Sequence, residues 1–202
     1  MIGYIFFHLE VVWAFVRGDR EALYKVDATS TGLVRSFIAM VIVETISLLY
    51  AIGFGTIENS LLMREGGLFY LPLQLFLDWG TVPLAFFILS GPMGFRDRLI
   101  PLIVSYNWMS VIVLMLILLP SAMVTGGVVA GEMVLIVMVG VYGTALWLTY
   151  RLLDFILDQG MSIALGLTVL TMILGITSAA ILSEIAQSLP LISEGADARP
   201  VT

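Results

Sequence analysis

Leu99-Ile-Pro-Leu-Ile-Val-Ser-Tyr-Asn-Trp-Met-Ser-Val-Ile-Val-Leu-Met-Leu-Ile-Leu-Leu119 is a run of 21 residues without a single charge. About 20 consecutive apolar residues in a helix are enough to cross a bilayer core. Pro101 lies in the first turn, where its missing N–H costs nothing. This stretch therefore reads as a transmembrane helix. The rest of the chain asks for the same solvent. Of its 202 residues, 60% are hydrophobic and only 12% charged, against about 25% charged in a typical soluble domain.

Outward from that run, four more spans can be marked. Upstream lie 68–90, which contains Pro72, Asp78 and Pro83, and 33–54, which contains Glu44. The two prolines predict a kink in the first of these. Downstream lie 132–150, whose helix can continue to about Asp158, and 161–182. The last two are expected to form a tight antiparallel hairpin, with Gly160 as a helix C-cap. Pro120 and Ser121 are expected to end the central span, and 122–131 to be a loop.

The fold class is thus all-α: a polytopic membrane bundle of five helices over 32–187. Residues 1–31 precede it and a polar tail, 188–202, follows. Residues 2–16 are too short and interrupted to span. They read as an amphipathic helix at the interface or against one end of the bundle, with His8 as an interfacial polar group. They also lack the basic region of a cleavable signal. The tail past Pro190 is expected to be disordered.

Charge sets an expected orientation. Arg17, Arg20, Lys25, Arg35, Arg96, Arg98 and Arg151 fall on one side of a five-span layout, and only Arg64 and Arg199 on the other. The positive-inside rule then places the N-terminus in the cytoplasm and the C-terminus outside, in a membrane such as the bacterial inner membrane.

Some chemistry is excluded by composition. No Cys is present, so thiolate ligands and disulfides are absent, and one His cannot build a multi-histidine metal site. No basic tract suggests nucleic acid. No nucleophile elbow or phosphate-cradling loop occurs. No enzyme activity, cofactor or metal is expected. The expected partners are membrane lipids and other membrane proteins, with oligomeric state left open.

The polar groups at membrane depth remain. Glu44 and Asp78 fall near the middle of their spans, where a carboxylate is costly and belongs in the bundle interior. Gln74, Asp78 and Thr81 share one helical face, and Asn107 and Ser110 lie three apart. Trp79 and Trp108 sit beside Asp78 and Asn107, placed to donate an indole N–H. Glu44, Asp78, Asn107, Gln74, Trp79 and Trp108 therefore form a candidate midplane site. It reads either as a proton or cation site or as interhelical hydrogen bonding that fixes the bundle. The carboxylates lack a basic partner, an internal repeat and a broken-helix pair, the usual marks of a secondary transporter.

Ala164, Thr168, Thr171, Gly175 and Ser178 form a stripe of small residues, read as a packing seam within the chain. Arg151, Asp154 and Asp158 share a face, with Arg151 and Asp154 expected to pair on a solvated rim.

Val16-Arg17-Gly18-Asp19-Arg20-Glu21-Ala22-Leu23-Tyr24-Lys25-Val26-Asp27, with Gly32-Leu33-Val34-Arg35-Ser36-Phe37-Ile38-Ala39 and Ser105-Tyr106-Asn107-Trp108, resembles bacterial Yip1-domain-like membrane proteins. The five-span layout with opposite termini agrees with that resemblance. It implies a scaffold, assembly factor or accessory subunit of a membrane complex. The eukaryotic signature Asp-Leu-Tyr-Gly-Pro is absent, so no functional residue is carried across. A small transporter or channel using the midplane acids is the alternative.

Overall fold

The computed structural model describes residues 1–192. Most of the tail expected to be disordered, 193–202, lies outside the described residues. The chain is an all-α polytopic membrane protein.

Helix α1 (Ile2–Val16) packs against the bundle through His8, Val11, Val12 and Phe15, which recur at helical spacing on one face. His8 is only 1% exposed, so it is a core residue rather than an interfacial one. Ile2, Phe6 and Trp13 point outward. The helix is therefore apolar on both sides, where the sequence suggested a polar outer face. A 3-10 turn over Arg20–Lys25 follows.

Helix α2 (Ser30–Ser36) starts at Thr29, whose Oγ1 accepts the Gly32 N–H at 2.9 Å. This is side-chain N-capping. Gly32 is required here, because a Cβ would collide with the Asp27 carbonyl. Helix α3 (Ile38–Gly53) continues α2 after an interruption at Phe37. The two pass together as one apolar stretch, Ser30–Gly53.

The second crossing is broken. Helix α4 (Leu71–Trp79) and helix α5 (Thr81–Ser90) meet at Gly80 with a 46° bend. Pro72 starts α4 and does not kink it. A Cβ on Gly80 would lie 2.6 Å from Phe76 Cδ2 and 2.8 Å from the Phe76 carbonyl oxygen, so glycine permits the close approach. Pro83, three residues on, has no N–H to give to the Trp79 carbonyl. The Leu77 carbonyl at the break accepts the Thr81 hydroxyl at 2.7 Å and the Ser178 hydroxyl at 3.1 Å.

Helix α6 (Leu99–Thr125) runs through Pro120, correcting the expected stop at Leu119. A proline within a helix forfeits one backbone hydrogen bond, here the one to the Leu116 carbonyl, a loss that membrane helices tolerate; the adjacent Ser121 hydroxyl donates to the Ile117 carbonyl at 2.8 Å. Helices α7 (Glu132–Leu157) and α8 (Met161–Ser188) form the hairpin. Its cap is Asp158, with φ 48°, not Gly160. Aspartate tolerates the left-handed region better than most residues.

Cross-links between loops assign each loop to one of two ends. At the first end, Gln159 donates to the Gly94 carbonyl at 3.0 Å and Arg98 donates to the Ile156 and Leu157 carbonyls at 3.1 and 2.6 Å. At the opposite end, the Glu65 N–H donates to the Pro190 carbonyl at 2.9 Å and Arg64 to the Leu189 carbonyl at 3.2 Å. The chain thus leaves loop 55–67 at one end and reaches 91–98 at the other. The bent α4–α5 pair is consequently one full crossing rather than a re-entrant hairpin, and the crossings number five. Helices α3 and α6 run parallel, since Asn107 contacts Ser36 and Thr125 contacts Tyr50.

The densest packing lies toward the first end, around Phe15, Phe95, Leu102, Trp108, Leu152 and Leu157. Toward the other end Leu119, Leu135, Val139 and Ile176 face outward. Contiguous apolar faces of this kind match a lipid environment.

Candidate functional site

The break at Gly80 brings the two acidic crossings together. Trp79, the last residue of α4, donates its indole N–H to Glu44 Oε1 on α3 at 2.8 Å. Asp78, one residue earlier, opens onto the same cavity of about 220 Å³. Val43, Glu44, Asp78, Trp79, Pro83, Tyr106, Asn107 and Ser110 line it. Side chains from the first three crossings therefore converge where two of them carry a carboxylate.

Asn107 is 1% exposed. Its Nδ2 donates to Ser36 Oγ at 2.9 Å, and the Ser36 hydroxyl donates its single hydrogen to the Leu33 carbonyl at 2.7 Å. Ser36 can therefore only accept from Asn107, which fixes the amide orientation. Oδ1 is left as the acceptor that Asn107 can offer to the cavity.

No Lys or Arg lines this space. Two of its polar hydrogens are committed elsewhere: the Trp79 N–H goes to Glu44, and the Ser110 hydroxyl goes to the Tyr106 carbonyl at 3.0 Å. Acceptor oxygens of two carboxyl groups, with no basic side chain beside them, dominate the lining. A proton or a cation is the counter-charge such a lining can take.

Four of the six predicted residues, Glu44, Asp78, Trp79 and Asn107, share the cavity. Gln74 lies one turn before Asp78, outside the lining. Trp108 is not part of the site. It stacks on His8 with ring centroids 5.3 Å apart, and its Nε1 finds no partner among the described residues. The helical face expected to hold Thr81 with Asp78 is interrupted by the break. Sequence reading passed over Tyr106 and Pro83 as site residues. The available signals were that Tyr106 adjoins Asn107 and that Pro83 follows Asp78 by five positions.

His8 organises a second polar cluster. The Asp27 N–H donates to His8 Nε2 at 3.2 Å, so Nδ1 carries the hydrogen and donates to the Tyr4 carbonyl at 2.9 Å. The Tyr4 hydroxyl and the Thr29 hydroxyl both donate to the Asp27 carboxylate, at 3.4 and 2.6 Å. The Thr29 hydroxyl, above all, holds the Asp27 carboxyl below its ordinary range. Burial, with the neighbouring Asp27 charge, pushes the Tyr4 phenol up.

On α7, Arg151 does not pair with Asp154. Its guanidinium lies over the rings of Trp147 and Phe15, 4.7 and 5.0 Å from their centroids, a cation–π arrangement. Asp158 instead faces Arg98 at 3.7 Å. A recess of about 660 Å³ lies beside this pair, lined by Arg20, Tyr24 and Asp154 among others. Both charge signs are present there, and Arg98 is committed to helix carbonyls.

In the α8 stripe, Ala164, Thr168, Thr171 and Ser178 are buried within the chain. Gly175 is exposed, and a Cβ there would meet nothing.

Among the described residues, no group of three or more His, Cys, Asp or Glu side chains is placed to hold a metal ion. No family model, curated protein or solved structure matches the chain.

Proposed function

We propose that this protein is a small non-enzymatic transporter or channel whose Glu44–Asp78 site takes up a proton or a cation within the membrane. The observation that carries this reading is the break of the second crossing at Trp79–Gly80, beside two carboxylates that share one cavity. Broken crossings that aim freed backbone groups and side chains at a midplane site are a recurring device of secondary transporters. Here Pro83 has no N–H for the Trp79 carbonyl, and the regular helix bonding resumes with the Leu84 N–H donating to the Gly80 carbonyl at 3.0 Å.

The N-terminal side is the cytoplasmic one in this reading, on the strength of the basic residues, and the membrane is a bacterial inner membrane. The test is pH-dependent flux through the purified protein in liposomes. Wild type carries flux for protons or a common cation, while Glu44→Gln and Asp78→Asn lose it at normal protein amount. Wild-type liposomes as tight as empty ones would sink the reading.

The second reading is a Yip1-like scaffold or accessory subunit. It draws on the five-crossing layout with termini at opposite ends. It expects the same substitutions to change assembly or protein amount instead of flux.

A further inference from the structure

We infer that the Glu44–Asp78 cavity selects a small organic ammonium ion over an inorganic cation, which rests on the reading of this site as a cation pathway. The lining combines two carboxylates with the aromatic residues Trp79 and Tyr106. Aromatic faces attract cations through the ring quadrupole, and quaternary ammonium groups are the ligands typically enclosed in this way. Inorganic divalent ions want a shell of six or more oxygen ligands or a cluster of acidic and imidazole donors, and no such cluster occurs among the described residues. Val43 and Pro83 instead give the cavity an apolar wall suited to methyl groups.

Asn107 makes the selection sharper. It is buried, its Nδ2 is locked onto Ser36, and its Oδ1 remains for the cavity. Its Oδ1 adds an acceptor to the two carboxyl groups, and no Lys or Arg stands beside them, so a cation or an N–H donor is favoured over an anion. Size agrees as well. The cavity holds about 220 Å³, several times the ~30 Å³ share of one liquid water. A bare metal ion would leave most of it to water, whereas a cation of a few heavy atoms fills it.

Tyr106, Val43 and Ser110 also line a neighbouring cavity of about 220 Å³ that extends along α6 to Ile117 and reaches Thr149 on α7. The two spaces share one wall, with Tyr106 in it. Tyr106 therefore stands between this cavity and the next one along α6.

The experiment is calorimetric titration of the detergent-solubilised protein with tetramethylammonium chloride, paired with proton flux in liposomes. Tetramethylammonium binds wild type and is not displaced by excess sodium or potassium. Asp78→Asn, a conservative change at an exposed side chain, abolishes binding. Trp79→Leu weakens it by about thirtyfold, the scale of a desolvated cation–π contact. Where Trp79→Leu lowers protein amount, Asp78→Asn still decides. Flux without tetramethylammonium binding would overturn the ammonium selectivity and leave the cation pathway standing. Binding without any flux would keep the ligand and remove the pathway. Binding that survives Asp78→Asn, or that sodium displaces, overturns the inference.

Discussion

Trp79 reaches from the broken second crossing to the first and donates to Glu44 at 2.8 Å. The contact ties the break itself to a carboxylate 35 positions earlier. An unpaired polar group within a membrane-embedded bundle is costly, and interhelical hydrogen bonds there average ~0.6 and reach ~1.7 kcal/mol. Because Trp79 is also well buried, Trp79→Phe should lower stability by about 1–2 kcal/mol. Glu44→Gln should cost less, since its side-chain carbonyl still accepts the indole N–H. Unfolding in mixed micelles of the two variants and their double mutant reads the coupling. Additive effects would show that the contact contributes nothing.

His8 bridges α1 to the loop before α2 and stacks on Trp108 of α6. His8→Ala removes the acceptor of the Asp27 N–H and leaves a cavity beside a buried indole. The expected loss is ~2–4 kcal/mol, combining large-to-small truncation with an unsatisfied donor. His8→Gln should recover part of it only if an acceptor can still reach Asp27. Protease sensitivity near Gly18 follows detachment of α1. An unchanged digestion pattern in His8→Ala would show that α1 is held by its apolar face alone.

The five crossings were legible because uncharged runs such as 99–119 leave no alternative solvent. The basic residues were informative for the same reason: they cannot stay in the bilayer core. What sequence could not supply was pairing. Asp78 and Trp79 point about 100° apart on one helix and Glu44 stands on another, so only the packing of the two helices decides that the indole reaches it. Arg151 had Asp154 one turn away, yet its guanidinium lies over the Phe15 and Trp147 rings. His8 looked interfacial because the packing of α1 on α6 is a tertiary choice, with no periodic polar face to announce it. Span ends were misjudged at Pro120 because proline inside a membrane helix is tolerated more readily than in water.

Asp27 gives a pH dependence of known sign. Its carboxyl is held below the ordinary value of 3.8, first by the Thr29 hydroxyl. A carboxyl lowered in the folded state contributes stability that is present above the unfolded value and lost as pH falls through the folded one. Wild type should therefore lose stability on acidification below about pH 4 more steeply than Asp27→Asn. Thr29→Val should flatten the slope in the same direction, since it removes the main cause and the α2 cap together. Thermal unfolding in detergent across that range is the measurement. Parallel curves for wild type and Asp27→Asn would remove Asp27 as the source.

Two glycine substitutions should have opposite signs. Alanine in place of glycine in an ordinary helix gains about 1 kcal/mol. At Gly175, exposed with open space around it, Gly175→Ala should realise most of that gain. At Gly80 the new Cβ meets the Phe76 ring and carbonyl at 2.6 and 2.8 Å. A ring can turn aside, but a backbone carbonyl within the last turn of α4 cannot, and overpacking costs ~1–3 kcal/mol. The clash outweighs the propensity, so Gly80→Ala should destabilise and shift the 46° bend. Since Asp78 and Trp79 stand on that bend, flux should fall with it. The pair also bears on α8. If a second copy docked along its stripe at Gly175, Gly175→Ala would weaken the assembly, so a more stable variant with an unchanged mass in native mass spectrometry assigns that stripe to packing within one chain.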